Sequence, residues 1–301
     1  MLKSLLRRLS AVLGLSLLIG GVPAQAKAPQ VAHPALWEVS DPDTTIYLFG
    51  TIHLLPQDLK WRTAKFDQAV ESSQQLVVET IVDQQNPAAV QAAMFALGVR
   101  PGLPPIADRI PKSKVPKMRA YLAKVGIPEK GLDRMETWLA WLSLVSTEFR
   151  DMGLKGTNGP EEILRQQFLG EHKPIGQLET ATEQFGFFAK LPEAAQRKLF
   201  VDQIDEGPGE DMKGAYNQML SPWSRGDVKS MAVAFNKDLT TSPELKAALL
   251  EQRNANWAKW IEQRMNQPGT IFVAVGAGHL AGKDSVIARL QSDGYKVTRL
   301  Q

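Results

Sequence analysis

Apolar and polar residues follow two different periods along this chain, and the change of period separates predicted strands from predicted helices. Residues 44–50 form a run of β-branched and aromatic side chains that ends in glycine, a pattern typical of a buried strand. Residues 61–74 have the periodicity of an amphipathic helix, and residues 75–79 follow as a second short strand. This β-α-β order predicts a parallel pair of strands with a right-handed crossover.

The middle of the chain is predicted to be helical from about residue 84 to residue 170. Within it, residues 134–151 are rich in tryptophan and leucine, which indicates a buried helix. Residues 172–179 form a third candidate strand. Thr180 and Glu183 then have the spacing of a capping box, so we expect a helix to begin there.

The last part of the chain returns to strand patterns. Helical segments extend over residues 192–265, and residues 270–276 are the strongest strand pattern in the sequence. A helix over about 279–292 and a terminal strand over 295–300 complete a second β-α-β unit. We therefore predict an α/β fold. Its central sheet, mixed or mostly parallel, is built from both chain ends around a large helical insertion.

The first 26 residues have the three parts of a bacterial secretory signal peptide. An apolar run, residues 9–20, is shorter than the roughly 20 residues that span a bilayer. Residues 24–26 form a small-x-small cleavage site. We expect a mature domain over residues 27–301, without a stable membrane anchor, in the periplasm of a Gram-negative bacterium. The basic residues before the apolar run are Lys3, Arg7 and Arg8.

Charge and composition narrow the classes of function. The chain has 35 basic and 32 acidic residues, and cleavage of the signal would leave 32 of each. A near-zero net charge argues against nucleic-acid binding. The chain has no cysteine, which excludes thiolate nucleophiles and sulfur ligands to a metal.

Four predicted strands end in side chains that bind metals or transfer protons. Two G-x-x-H segments supply His53 and His279, and the other two strands end in Glu79 and Glu179. Ligands of open parallel sheets bind outside the carboxyl ends of the strands, so we expect the four to converge. Two imidazoles and two carboxylates suit a divalent transition metal, and Mn, Co, Zn and Fe(II) all remain open. The alternative is that each residue makes only structural hydrogen bonds.

Glycines at the same strand ends, Gly50, Gly276 and Gly278, let the backbone turn sharply. Residues 276–281 also match the loose G-x-G-x-x-A dinucleotide pattern. We reject that interpretation because the following strand lacks the acidic residue that would hold a ribose.

Arg253 and its neighbour Asn254 lie within the apolar face of a predicted helix over residues 242–265. A charge in that position is costly to bury unless a carboxylate pairs with it. Arg253 therefore either pairs with Glu79 or Glu179 or extends to water from the edge of the apolar face.

These segments, jointly and in this order, resemble the TraB/GumN family, relatives of the Tiki proteins in the erythromycin-esterase and ChaN-like superfamily. The resemblance implies an α/β fold with a helical insert. Because Tiki relatives are described as metal-dependent proteases, it also implies a metal-activated water that attacks an amide or ester. The segments that carry the resemblance are YLFGTIH at 47–53, LVVE at 76–79, PIGQLET at 174–180, EQRN at 251–254 and VAVGAGHL at 273–280.

The resemblance also assigns roles to site residues, with one departure. Family members often have Gly-hydrophobic-Asp before the central helix, where this chain has Gly159, Pro160 and Glu161. The longer acid displaces that carboxylate, so the resemblance does not transfer a role to Glu161. The implied roles are metal ligand for His53, Glu79 and His279, ligand or general base for Glu179, and orienting or oxyanion group for Arg253.

The sequence thus predicts an exported metal-dependent hydrolase, a peptidase, with Mn, Co or Zn as the metal. Its substrate is a peptide or a small molecule that the sequence does not identify. One alternative is a non-catalytic periplasmic metal- or haem-binding protein of the same fold. Another is a scaffold that has kept the fold and lost the chemistry.

Overall fold

The computed structural model describes residues 31–83, 86–239 and 243–301, so the predicted signal peptide lies outside the described residues. The described chain forms one six-stranded sheet. Its strands are β1 (Leu36–Ser40), β2 (Thr44–Thr51), β3 (Gln75–Val78), β4 (Ile175–Gln177), β5 (Gly269–Gly276) and β6 (Val297–Arg299).

Helices fill the connections between these strands. A π-helical turn, Ala247–Glu251, precedes α12, and a 3₁₀ turn, Ala277–Leu280, follows β5. The α-helices are α1 (Ala64–Ser72), α2 (Ala88–Gly98), α3 (Val115–Val125), α4 (Glu129–Leu132), α5 (Thr137–Asp151), α6 (Pro160–Gly170), α7 (Ala181–Ala189), α8 (Glu193–Glu206), α9 (Glu210–Ser224), α10 (Val228–Leu239), α11 (Pro243–Lys246), α12 (Gln252–Arg264) and α13 (Val286–Ser292).

The sheet has the strand order β4-β3-β5-β2-β1-β6, and its first four strands are parallel. β2 and β3 are not direct neighbours, because β5, from the far end of the chain, lies between them. Thr51 of β2 pairs with Gly276 of β5, and Val78 of β3 pairs with Ala274 of β5. This mixed sheet, built from both chain ends, confirms the predicted fold class.

The C-terminal segment differs from the predicted β-α-β unit. β6 pairs antiparallel with β1, a strand that the pattern did not predict, and it does not pair with β5. The predicted helix over 279–292 is also too long. Gly282 has φ +90°, which ends the 3₁₀ turn, and Ser285 then caps α13 by accepting a hydrogen bond from Ala288 N at 3.1 Å.

The side chains of β5 alternate between two apolar layers, as a buried parallel strand requires. Ile271, Val273 and Val275 pack with residues of α12 and α13. Phe272 and Ala274 pack on the other side with α1 and the helical insertion. The sheet is therefore covered on both faces.

The insertion begins after β3 with α2–α6, and β4 is followed by a second helical region, α7–α12. The predicted tryptophan-rich helix is present as α5, where Trp138 and Trp141 are fully buried. The predicted capping box at Thr180 and Glu183 is also present, at the start of α7. Among the described residues, no helix is long and apolar enough to cross a membrane.

Candidate functional site

The four predicted strand-end residues lie at one edge of the sheet. β2, β3, β4 and β5 run parallel, so their carboxyl ends meet there. The residues that follow these strands are His53, Glu79, Glu179 and His279, and each is at least nine-tenths buried. Backbone contact ties two of them directly, because Glu179 N donates to Glu79 O at 2.8 Å.

Arg253, on α12, lies at the centre of this group. Its Nη2 is 2.8 Å from Glu79 Oε2 and 2.8 Å from Glu179 Oε2, and its Nε is 3.0 Å from both oxygens of Glu179. The side chain is only 2 % exposed, so it pairs with both carboxylates and does not extend to water. Two buried carboxylates therefore share one guanidinium.

The two carboxylates accept further hydrogen bonds. Gly276 N donates to Glu79 Oε1 at 2.5 Å, and Trp257 Nε1 donates to Glu179 Oε1 at 2.9 Å. Burial raises the pKa of Glu179 above its ordinary value, although the adjacent Arg253 opposes that shift. The carboxylate oxygens are thus held by the protein itself. We call Glu79, Glu179, Arg253, Asn254, Trp257 and His279 the arginine cluster.

The ring of His279 is fixed in one tautomer by its neighbours. Asn254 Nδ2 donates to the carbonyl of Asp284 at 2.8 Å, which leaves Asn254 Oδ1 facing His279 Nδ1 at 2.6 Å. Nδ1 therefore carries the proton, and Nε2 accepts from Arg253 Nη1 at 3.1 Å. Burial and then the charge of Arg253 hold the pKa of His279 well below its ordinary value, so the ring is neutral.

His53 has a different partner. Its Nδ1 lies 2.5 Å from Glu161 Oε1, and the Thr51 hydroxyl donates to the same carboxylate oxygen. Burial is the largest single influence on the pKa of His53 and lowers it, but the charge and hydrogen bond of Glu161 and the charge of Glu79 together outweigh burial, so the net shift is upward. For Glu161 burial raises the pKa, and the charge and hydrogen bond of His53 with the hydrogen bond from Thr51 together lower it below its ordinary value. We call these two residues the histidine–glutamate pair.

Glu161 is a functional residue that the sequence did not assign. It lies in the first turn of α6, at the position where the longer acid was expected to displace the carboxylate from any role. The longer side chain instead reaches His53. Gly159 makes this possible, because a Cβ there would lie 2.1 Å from His53 O, so only glycine lets α6 begin against this strand end.

The other glycines support the strand ends in similar ways. A Cβ on Gly50 would lie 3.0 Å from the Cα of Ala277, and one on Gly278 would lie 2.4 Å from the Phe235 ring. Gly276 contributes its backbone N–H to Glu79. Close packing explains Gly50 and Gly278 better than a special backbone angle does, since neither has a positive φ.

A small cleft, partly open to solvent, lies beside the histidine–glutamate pair. His53 Nε2 is buried and makes no hydrogen bond to any described residue. Glu79 and Thr80, after β3, supply part of the polar lining, and α6 and α7 supply the rest. Sequence patterns did not single out α6 and α7 as functional. The cleft is lined by His53, Val78, Glu79, Thr80, Val82, Gly156, Glu161, Glu162, Arg165 and Gln184.

The arrangement does not present the metal-ligand set that the sequence predicts. Over the described ranges, no group of three or more His, Cys, Asp or Glu side chains is placed to hold a metal ion. Nε2 of His279 accepts from Arg253, and both Glu79 and Glu179 are paired with that same arginine. As arranged, these donors do not fit a shared metal, and the assignment of ligand roles remains a prediction.

Comparison with known proteins gives one family. The model of the TraB/PrgY/gumN family matches residues 35–299. Two curated relatives, each called "Uncharacterized protein YbaP", come from Escherichia coli (strain K12) and Shigella flexneri. Each is 25% identical over 241 residues, which cover 80% of this chain and 85% of the relative. No solved structure matches the chain.

Proposed function

The chain belongs to the TraB/PrgY/gumN family, and on that premise we propose that it is a hydrolase in which His53 activates water. The observation that carries the proposal is the histidine–glutamate pair. Nδ1 of His53 is held by a buried carboxylate, while Nε2 is buried, unpartnered among the described residues and beside the cleft. A base that a third group orients in this way is a recurring element of hydrolytic sites.

In this proposal Nε2 of His53 takes a proton from a water molecule in the cleft. The resulting hydroxide attacks the carbonyl carbon of an amide or ester, and the imidazolium then returns the proton to the leaving amine or alcohol. Glu161 stabilises the imidazolium by its charge and keeps the ring in the required tautomer. Thr51 in turn holds the Glu161 carboxylate.

The arginine cluster has a supporting role in this proposal. All the nitrogens of Arg253 already donate within the cluster, since Nη1 meets His279 and Leu249 O. Arg253 therefore orients Glu79, which lines the cleft, and does not offer a free donor to an oxyanion. Glu179 does not line the cleft, and Arg253 and Trp257 both donate to its carboxylate. We therefore place the general base at His53 and not at Glu179.

The test is a screen of peptide and ester substrates with wild type and three variants. We expect His53→Gln to lower kcat/KM by about 10²–10⁴-fold and Glu161→Gln to lower it by about tenfold or more. His33→Gln, at an exposed histidine, is the matched control and should leave the rate unchanged. A rate that survives His53→Gln would refute the proposal.

The family resemblance implies a metal-dependent reaction. Removing the metal with a chelator distinguishes that reaction from water activation by His53 alone. Purified protein is treated with a chelator and titrated with Mn, Co and Zn by calorimetry, beside His279→Ala. Activity that persists in chelator supports water activation by His53 alone. Saturable binding near one equivalent that His279→Ala abolishes, with activity restored by the metal, would establish the metal-dependent hydrolase. Metal or haem binding without turnover would favour the non-catalytic alternative.

We also propose export to the periplasm, which the pattern of residues 1–26 supports. Expression of the full chain, fractionation and N-terminal sequencing test it. A mature terminus at Lys27 in the periplasmic fraction is expected, and an intact cytoplasmic chain would contradict export.

A further inference from the structure

We propose that Arg165 and Gln184 form a subsite for a carboxylate of the substrate, so that the hydrolase selects acidic or carboxyl-terminal substrates. The inference rests on the proposed function for its link to catalysis, but the subsite can be measured without turnover. Both residues line the same cleft as His53.

Arg165 is held in place by Glu162, but not all of its guanidinium nitrogens make hydrogen bonds. Its Nε donates to Glu162 Oε2 at 2.8 Å, and its Nη2 donates to Glu162 Oε1 at 3.0 Å. This two-point contact fixes the plane of the guanidinium on α6, and the Arg165 side chain is only 9 % exposed. Nη1 makes no hydrogen bond to the described residues, although the residue borders the cleft.

Asp83 makes the third contact to this arginine and occupies the place that a substrate carboxylate would take. Its Oδ1 is 3.0 Å from Arg165 Nη2, yet its side chain is 41 % exposed and belongs to no helix or strand. A substrate carboxylate that replaced Asp83 would exchange one anion for another on Arg165, so the charge of the site would not change. The pair between Asp83 and Arg165 is partly solvated, so the exchange would cost little at Arg165.

Gln184 supplies an independent observation. The residue lies on α7 and is 5 % exposed, and its side-chain amide makes no hydrogen bond to the described residues. The amide atoms of Gln184 are not sealed from solvent, so a ligand there would take the place of cleft water. Gln184 and Arg165 line the same cleft, and we place both in the subsite. Arg165 supplies the charge and Gln184 a neutral donor.

The test compares two probes that differ only at one end: acetylated trialanine with a free carboxyl terminus, and the same peptide as the carboxamide. Affinities are measured by NMR titration of the labelled mature protein. We expect wild type to bind the acid about tenfold or more tightly than the amide, because a charge-assisted contact is lost in the amide. Equal binding of the two probes, or no measurable binding of either, would overturn the subsite.

Variants assign the preference to residues. Arg165→Gln should abolish it, Arg165→Lys should keep part of it, and Gln184→Leu, which breaks no ion pair, should reduce it about threefold. Arg62→Gln is the matched control, since Arg62 pairs with Asp67 and Gln167 and does not line the cleft. A preference that survives both Arg165→Gln and Gln184→Leu would refute the assignment.

The two proposals fail separately. His53→Gln should lose hydrolysis and keep the preference for the acid, since His53 makes no part of the subsite. A preference without any hydrolysis would leave the subsite standing and refute the hydrolase. If wild type hydrolyses substrates but binds the acid and the amide equally, the hydrolase stands and the subsite is refuted.

Discussion

Nη1 of Arg253 lies 3.1 Å from Nε2 of His279, and this contact determines what the second G-x-x-H histidine can do. An arginine donates and never accepts, so Nε2 must be an unprotonated acceptor. The two histidines of the repeated motif therefore differ in their hydrogen bonding. His53 lines the cleft and its Nε2 has no partner among the described residues, whereas both nitrogens of His279 are engaged inside the protein.

The tautomer of His279 is directly observable. We expect ¹⁵N NMR of the labelled protein to show a neutral ring protonated on Nδ1, and to show it still neutral at pH 6.5, because burial and Arg253 lower the pKa of the ring. Asn254→Leu removes the acceptor for Nδ1–H and should broaden or shift this signal. An imidazolium, or a proton on Nε2, at that pH would contradict the arrangement.

Arg253 should be far more important for stability than an arginine on the surface. Arg253→Met leaves Glu79 and Glu179 as buried carboxylates without a cation, and we expect the free energy of unfolding to fall by about 3–5 kcal/mol. The matched control is Arg119→Met, whose solvent-exposed pair with Glu129 should contribute little to stability. Urea unfolding measures both, and similar losses in the two variants would contradict the prediction.

Stability should depend on pH through the histidine–glutamate pair. The pKa of His53 is raised above 6.5, so its contribution is complete below pH 6.5 and is lost as the pH rises through the folded-state value. The pKa of Glu161 is lowered below 4.5, so its contribution is complete above pH 4.5 and is lost as the pH falls through the folded-state value. The difference in unfolding free energy between wild type and Glu161→Gln should therefore be largest between these pH values. A difference that does not fall above or below that interval would count against the pair.

The pH dependence of catalysis follows from the same pair. His53 acts as a base only when neutral, so kcat/KM should rise with pH through a pKa above 6.5. In Glu161→Gln the charge that raises this pKa is gone, and the rising limb should move to lower pH while the maximum rate falls. A limb that stays in place would show that another group governs the profile.

A side chain at position 278 should destabilise the protein unless the side chain of Phe235 is made smaller. The Cβ of Gly278→Ala would lie 2.4 Å from the Phe235 ring, and such overpacking costs about 1–3 kcal/mol. Phe235→Leu in the same chain should recover part of that loss, so the two changes should not be additive. The control is Gly214→Ala, an exposed helical position with no atom near the added Cβ, which should be neutral or stabilising. Thermal unfolding of wild type and of each variant measures these changes in stability.

Strands β2, β3 and β5 were predictable because each is a short, mainly apolar run, as in the segment before Glu79. The pairing of β6 with β1 was not, because a pattern along the chain shows which residues are buried but not which strand is their neighbour. Two interpretations of Arg253 were open from the sequence, and the structure supports the paired one.

Glu161 and Arg165 were missed for another reason. An acid in the first turn of a helix is ordinarily explained by the helix dipole, and an arginine three or four residues later by an ion pair on the helix surface. Nothing in that local pattern shows that α6 begins against His53. The signal that could have found Glu161 is Gly159, whose lack of a side chain is required by the approach to His53 O.

The position of β5 has a consequence for how the chain is made. Residues 269–276 separate β2 from β3, so the strands that carry His53 and Glu79 have no common neighbour until synthesis has passed Gly276. Closing such distant pairs is slow, and the edges of β2 and β3 remain open meanwhile. A chain that ends before β5 contains both His53 and Glu79 but lacks the strand that places β2 and β3 in one sheet. The proposed hydrolytic activity is therefore expected only of chains in which β5 has been made.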